Sequence, residues 1–344
     1  MGCARHSDCS SNACLPEGIC GDDSNVAYVA PNGTNNVMCT RATPCNSIAN
    51  ALVTMRPHIK LTGMVDVSIP GTQTVFNAIP IDRPLTFIAD PGTTVRYIGT
   101  ANAFNLIGNF SVQSDNPDLR IYDLTITSTP SLTNKPVGIS LTGGKLTLRR
   151  SRIVGLTTGV FGTNVDIRDS TIARNERNGI TLRGKFSIVN SIIAENGSAT
   201  SDLGAIRLEF TPVNGVDQIV ESSTIMDNRC GSCAEQSYGI DCSSSASCTN
   251  VRLGRNNILG NARNDGVYDF SLFASGAVSG ANNVTGTAMF ASKADPLSPT
   301  YYRLAPGSDG IDRGDPVSPV PFDIDGDPRP QGAGVDMGAD ELKP

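Results

Sequence analysis

The sequence predicts an all-β protein, a parallel β-helix (solenoid) whose short strands stack in successive coils. Three observations predict it. The composition is rich in glycine (35 residues) and poor in charged (17%) and aromatic (5%) residues, which disfavours helical bundles and coiled coils. An eight-residue template recurs along the chain, and asparagines follow it at a constant offset. Repeats of this kind bury a continuous core only by stacking on their neighbours.

The template reads apolar, any, apolar, any, polar, small, any, isoleucine. Clear copies lie at 146–153, 165–172, 186–193 and 251–258, with looser copies at 119–126 and 218–225. Alternation with a period of two is typical of a strand with one buried face. We expect equivalent inward residues of successive coils to lie on top of one another.

Asparagines follow four of these isoleucines by three residues, at Asn175, Asn196, Asn228 and Asn261. Their spacings are 21, 32 and 33 residues. The short spacing is one coil, and the longer spacings predict coils with loops of about 11 additional residues. Inward asparagines at one turn of each coil can bond to those above and below. We therefore interpret them as a structural ladder and not as a ligand site.

The ten cysteines form three local groups: Cys3, Cys9, Cys14 and Cys20; Cys39 and Cys45; and Cys230, Cys233, Cys242 and Cys248. An even number in close groups predicts short disulfide-closed loops formed in an oxidising compartment. Two alternatives stay open. The last group could bind zinc through four thiolates, and Cys3 could be a lipidated first residue.

The charge and hydropathy of the chain argue against nucleic-acid binding and against a membrane-spanning segment. The formal net charge is −6, and the 27 basic residues form no basic patch, so nucleic acid is not an expected partner. No apolar run approaches 18 residues, so we expect no transmembrane segment.

The two ends of the repeat region carry a resemblance to known proteins. The first is 28–33 (YVAPNG), followed by the Cys39 and Cys45 pair and by 47–52 (SIANAL); the second runs through 323–330 (DIDGDPRP) to 335–341 (VDMGADE). With the repeats, they resemble the secreted bacterial right-handed parallel β-helix proteins, which include pectate lyases and polygalacturonases. The chain end resembles the choice-of-anchor motif of that group.

The resemblance implies the domain organisation and the location. Residues 1–24 are a cysteine-rich N-terminal segment, 25–300 a right-handed parallel β-helix with an N-terminal capping helix, and 301–344 a C-terminal capping or anchor-type motif. Ser47 is the expected N-cap of the helix. Right-handedness also follows the general preference of parallel crossovers. We expect a secreted or cell-surface bacterial protein.

Residues that would indicate a known enzyme of this group are missing. The chain has no tryptophan, and its two histidines, His6 and His58, lie outside the repeats. The motifs of the polygalacturonases are also absent, so the chain is not expected to act on pectate or polygalacturonate.

The candidate ligand-binding residues lie on one predicted outer strand face. Successive coils about 4.8 Å apart would bring together Arg183, Arg207, Glu209 and Asp241, between loops at 197–217 and 229–250. The alternative is a solvated face of ion pairs worth less than about 1 kcal/mol each.

The candidate metal site lies in an acidic stretch near the chain end. Asp323, Asp325 and Asp327 resemble the opening of a calcium loop. The twelfth position from Asp323 is Gly334 and not glutamate, so the loop is not an EF-hand. The alternative is a set of Asx-turns closed by Arg329.

The sequence thus predicts a polysaccharide-interacting or adhesive protein without catalytic activity. Its expected partner is an extracellular polysaccharide or another cell-envelope component. Ca²⁺ is the one cofactor that the sequence suggests. A polysaccharide lyase or glycoside hydrolase acting on an acidic glycan is the first alternative, and a purely structural spacer is the second.

Overall fold

The computed structural model describes residues 2–68, 79–98, 110–112, 117–132, 135–201, 205–209, 218–231, 239–242, 251–253, 257–262, 268–269, 288–317 and 320–343. Its chain divides into two compact units, Met1–Ser151 and Arg152–Pro344. Nearly all regular structure in them is β-strand. None of the helices within the described ranges is long and apolar enough to span a membrane.

The described residues of the first unit form a 3₁₀ turn at His6–Asp8, one short helix and eleven strands. These are β1 (Val26–Thr34), α1 (Ile48–Val53), β2 (His58–Leu61), β3 (Met64–Ser68), β4 (Pro80–Ile81), β5 (Leu85–Ala89), β6 (Thr94–Ile98), β7 (Phe110–Val112), β8 (Asp118–Tyr122), β9 (Thr125–Ser128), β10 (Ile139–Leu141) and β11 (Lys145–Arg149).

All pairs among these described strands are parallel. The strands β1, β2, β5, β8 and β11 pair in that order, β3 pairs with β6 and β6 with β9, and β4 pairs with β7 and β7 with β10. The register places Ile59, Phe87 and Ile121 on one another. All three are 0% exposed, so equivalent residues of successive coils form the core as the repeat predicts.

The helix α1 begins where the sequence predicts. Ser47 Oγ accepts a hydrogen bond from the Asn50 backbone N–H at 3.2 Å, which satisfies one of the unpaired amides of the first turn. The helix buries Ile48 and Ala51.

The part of the second unit that the structure describes contains twelve strands. These are β12 (Arg152–Val154), β13 (Thr158–Arg168), β14 (Thr171–Ala173), β15 (Asn178–Val189), β16 (Ile192–Ala194), β17 (Ile206–Leu208), β18 (Gln218–Glu221), β19 (Thr224–Met226), β20 (Ile240–Cys242), β21 (Val251–Leu253), β22 (Ile258–Ala262) and β23 (Tyr268–Asp269).

Parallel pairing continues through this unit. The strands β12, β14, β16, β19 and β22 form one stack, while β13 pairs with β15. One part of β15 pairs with β17, which pairs with β20, and another part pairs with β18, which pairs with β21. The exception is the antiparallel pair of β22 and β23.

The predicted asparagine ladder is present in the described coils. Asn175, Asn196 and Asn228 are each 0% exposed. Asn175 Nδ2 donates to Asn196 Oδ1 at 2.8 Å, and Asn196 Nδ2 donates to Asn228 Oδ1 at 3.0 Å. The same oxygens accept the backbone N–H groups of Asn175 and Asn196. The side chain of Asn261 lies outside the described residues.

Glycines leave room for this ladder. A Cβ atom at Gly159 or Gly179 would lie 3.0 Å from the amide nitrogen of Asn175 or Asn196, respectively. Close approach therefore explains why glycine is the second residue of both β13 and β15.

A second ladder, of serines, occupies the other corner of each coil. Ser191 Oγ accepts the Ser170 N–H at 3.3 Å, Ser223 Oγ accepts the Ser191 N–H at 3.2 Å, and Asn257 Oδ1 accepts the Ser223 N–H at 2.9 Å.

One residue with positive φ makes each corner of the coil. The residues before the ladder serines are Asp169, Asn190 and Ser222, and those before the ladder asparagines are Arg174, Glu195 and Asp227. The side-chain oxygens replace backbone partners that such a sharp corner removes.

Two segments outside the coils each cover an outer strand face within their own unit. The cysteine-rich segment packs Ala13 and Leu15 against Val26, Tyr28 and Ile88. Residues 288–317 and 320–343, here called the C-terminal segment, pack onto the outer side of β14, β16, β19 and β22. There Tyr301, Tyr302, Leu304, Met337 and Ala339 meet Ala173, Ala194, Met226 and other residues of those strands.

The predicted fold class, an all-β parallel β-helix with a capping helix and a disulfide-rich N-terminal segment, is confirmed. The disulfides are Cys3–Cys14, Cys9–Cys20 and Cys39–Cys45. Cys230 is also disulfide-bonded, and Cys3 is paired within its segment. Both alternatives for these cysteines, thiolate zinc binding and lipidation, are therefore wrong for this structure, because a sulfur in a disulfide supplies neither a thiolate nor a free thiol.

Candidate functional site

The four candidate ligand-binding residues lie on three neighbouring strands or directly after them. The pairing of β15, β17 and β20 puts Thr181, Arg207 and Asp241 side by side. Arg183 Nε donates to Glu209 Oε2 at 2.7 Å, with side chains 40% and 26% exposed. We call Thr181, Arg183, Arg207, Glu209 and Asp241 the strand face. The side chain of Asp241 lies outside the described residues, as does much of both flanking loops.

The strand face is ordered by local contacts. The Arg183 guanidinium carbon lies 4.4 Å from the centre of the Phe161 ring, within cation–π range. Thr181 is 3% exposed, and its hydroxyl accepts a hydrogen bond from Asn178 Nδ2 at 2.8 Å. Arg183 and Glu209 are therefore a partly exposed pair beside an aromatic ring.

The candidate metal residues have backbone partners of their own. Asp323 is 2% exposed, and its Oδ1 accepts the N–H groups of Asp325 and Asp327 at 2.9 and 2.8 Å. Its Oδ2 accepts the Glu341 N–H at 3.1 Å. These bonds are typical of Asx-turns, which are the alternative to a calcium loop in this stretch.

The neighbouring carboxylates are paired with basic side chains. Asp325 binds Arg303 through two bonds of 2.7 Å, and Asp327 binds Lys343 at 2.8 Å. Ligand atoms of Asp323, Asp325 and Asp340 lie within 4.8 Å of one another. Burial raises the pKa of Asp340 to about 6. The oxygen donor set is of the type that Ca²⁺ prefers, and the geometry gives each carboxylate a protein partner.

Arg329 closes this stretch, as the Asx-turn alternative predicts. Its side chain is 1% exposed and donates to Glu341 Oε2 at 3.1 Å, while Glu341 is 0% exposed. It also reaches the carbonyl oxygens of Asp336 and Gly338 and, at 3.1 Å, the side-chain oxygen of Asn190. The contact with Asn190 ties the C-terminal segment to a coil corner. Burial lowers the pKa of Arg329.

A cavity of about 640 Å³ lies between the cysteine-rich segment and the ends of β5, β8 and β11. One wall consists of residues of the segment, including Ala4, Arg5 and His6. The other wall includes Asp90, Tyr122, Asp123 and Arg150. Its volume is within the range of about 300–1,000 Å³ typical of small-molecule sites.

His6 joins the two walls of this cavity. Its Nδ1 accepts the Cys14 backbone N–H at 2.9 Å, so Nε2 carries the proton and donates to the Ala89 carbonyl oxygen at 3.2 Å. Burial, followed by the charge of Lys60, lowers the pKa of His6. The neutral ring is therefore the form that fits this position.

Charged groups of the coil wall are paired. Lys60, with a fully buried side chain, donates to Asp90 Oδ1 at 2.5 Å. Burial lowers the pKa of Lys60. Arg150 binds Asp123 through two bonds of 2.7 and 2.9 Å. Sequence reasoning missed this cavity because the cysteine-rich segment has no repeat that predicts where it packs.

Comparison with known proteins identifies no family for the chain. No protein-family model matches it, and no curated protein matches its sequence. Among solved structures, the crystal structure of pectate lyase Pel9A is similar over 92% of this chain and 96% of that chain, with a TM-score of 0.43 and 18% sequence identity. Similarity at this level is too low to transfer a site, a substrate or an activity.

Proposed function

We propose that this is an extracellular β-helix protein that binds an acidic polysaccharide on the strand face without cleaving it. The observation that carries the proposal is the Arg183–Glu209 pair, ordered against Phe161 and adjacent to Arg207 on successive coils. The disulfides support an oxidising location outside the cytoplasm.

Stacked coils suit a polymer because they present side chains at a constant spacing along one direction. A guanidinium can bind a sugar carboxylate through two parallel hydrogen bonds, which gives orientation as well as energy. Binding would exchange Glu209 for a ligand carboxylate as the partner of Arg183. The exposed fraction of 40% at Arg183 leaves the guanidinium within reach of such a ligand.

The proposal is tested by titrating the protein with oligogalacturonate and with alginate oligosaccharides. Changing both Arg183 and Arg207 to Ala should weaken binding about tenfold or more, because two charge-assisted contacts are lost. The free energy of unfolding should stay within about 1 kcal/mol of wild type, as for other surface changes.

Arg96→Ala is the matched control. Arg96 is also an outward strand arginine bound to a carboxylate, with bonds of 2.8 and 2.9 Å to Asp66, but it lies on β6 in the first unit. It should leave binding unchanged. Equal affinity of the double variant and wild type, or no binding of either oligosaccharide, would refute the proposal. Release of unsaturated uronate, seen as rising ultraviolet absorbance, would instead identify a lyase.

A further inference from the structure

We propose that the cavity beneath the cysteine-rich segment is a second binding site, which takes one uncharged, hydroxyl-rich sugar residue. The cavity is independent of the strand face, because its walls are formed by residues of the first unit alone. The segment builds one wall of it, so the site exists only when the segment is folded onto the coils.

The charge of the walls argues for an uncharged ligand. Lys60 neutralises Asp90, and Arg150 neutralises Asp123. Next to the opposite wall, the Asp8 carboxylate accepts the backbone N–H groups of Ala4 and Arg5 at 2.9 Å each, which places a negative charge near the Arg5 side chain. A charged ligand would enter such a site without a counter-charge of its own, which costs desolvation energy.

Hydrogen-bonding capacity argues for hydroxyl groups. A carboxylate offers about four lone-pair positions. The bonds between described side chains use one position on Asp90 and two on Asp123. Both residues line the cavity and are about one-third exposed. Sugar hydroxyls can donate to the positions that remain.

The apolar part of the lining argues for a ligand with hydrocarbon faces as well. Tyr122 packs beside the cluster that contains Leu15 and Ile88, and all three residues line the cavity. Burial raises the pKa of Tyr122, so its hydroxyl remains neutral and able to donate. A sugar ring presents both C–H groups and hydroxyls, which matches this combination of an aromatic ring with carboxylates.

The probes are the methyl glycosides of glucose, galactose, mannose and N-acetylglucosamine, with galacturonate as the charged comparison. Ligand-observed saturation-transfer NMR should detect at least one uncharged glycoside on wild-type protein with its disulfides intact. Asp123→Asn should weaken that binding about tenfold, because a charged acceptor is lost while the left-handed backbone (φ 61°) still suits asparagine.

A second variant keeps the test valid if Asp123→Asn unfolds. Ala4→Phe fills the cavity from an exposed residue whose backbone bond to Asp8 is unaffected, and it should abolish binding. Changing Arg183 and Arg207 to Ala should leave glycoside binding unchanged, which separates this site from the strand face. Failure of all four glycosides to bind, preferential binding of galacturonate, or normal binding by Ala4→Phe would overturn the proposal.

Discussion

The cysteine-rich segment and the C-terminal segment are held on the coils by different interactions. Each lies on an outer strand face of the coils in its own unit. The first buries few apolar side chains and is crosslinked by Cys3–Cys14 and Cys9–Cys20. The second contains no cysteine and is fastened by buried aromatic residues and buried ions.

The comparison indicates that the length of a covering segment decides which interactions can hold it on the coils. A short segment cannot bury enough apolar surface to offset its chain entropy, so crosslinks that restrict the unfolded chain are effective. The longer segment folds around its own polar centre, where Asp323, Asp336 and Glu341 accept backbone N–H groups. Four variants or conditions test this comparison.

The largest effect is expected at the buried ion pair of the C-terminal segment. Arg329→Met leaves Glu341 buried without its counter-charge and should lower the free energy of unfolding by about 3–5 kcal/mol. Urea denaturation measures the loss, and proteolysis within 288–343 locates it. Adding Glu341→Gln should restore part of the stability, since the uncompensated charge is then removed.

Arg313→Ala is the control for this change. Arg313 is 65% exposed and lies 4.0 Å from Asp309, so its removal should cost less than about 1 kcal/mol. If Arg329→Met unfolds at the same urea concentration as wild type, the C-terminal segment is not held by its buried ions.

The next effect concerns the coils beneath that segment. Asn196→Leu removes the one acceptor that two buried donors on Asn175 share, at 3.2 and 2.8 Å, and should cost about 1–3 kcal/mol. The thermal midpoint is the measurement, with the exposed Asn46→Leu as the matched control. A midpoint equal to that of Asn46→Leu would remove the ladder as a source of stability.

Breaking a disulfide should destabilise the cysteine-rich segment alone. Replacing Cys9 and Cys20 with Ser opens a loop of sequence separation 11 and should destabilise the segment by about 3 kcal/mol. Hydrogen exchange should rise within residues 2–24 and stay unchanged in 288–343. The same replacement at Cys39 and Cys45, with separation 6, is the comparison and should cost less. Uniform exchange changes throughout the chain would contradict a local role.

The smallest expected effect is a pH dependence in the stability of the cysteine-rich segment. The fold lowers the pKa of His6 below its usual 6.5, so its contribution is complete above pH 6.5 and is lost as the pH falls below that value. Protonation of Nδ1 removes the acceptor of the Cys14 N–H. Exchange of that amide, corrected for intrinsic rates, should therefore accelerate from pH 7 to pH 5.

The variant His6→Asn separates this effect from other titrations. An asparagine oxygen can accept the Cys14 N–H but does not titrate, so exchange should lose its pH dependence. The charged groups that act on the His6 ring are Lys60, Asp90 and Asp123, and they are retained in the variant. An identical pH profile in both proteins would show that His6 is not the titrating group.

The coil could be predicted from local sequence. Alternating apolar residues specify which side chains point inward, and inward asparagines have few partners other than their equivalents in the next coil. The strands at β11, β13, β15 and β18, the ladder of Asn175, Asn196 and Asn228, and the N-cap Ser47 all follow from such local periodicity. The serine ladder also carried a signal, since Ser170, Ser191 and Ser223 occupy one position of the template.

The two segments that cover the coils, and the place where a ligand could bind, could not be predicted from local sequence. Neither covering segment contains a repeat, so no periodicity indicates the face on which it packs. The burial of Lys60, the cavity lined by Asp123 and Tyr122, and the contact of Arg329 with Asn190 depend on residues far apart in sequence. Such contacts arise from the shape and charge of two surfaces after the coils have formed, and a local pattern specifies neither.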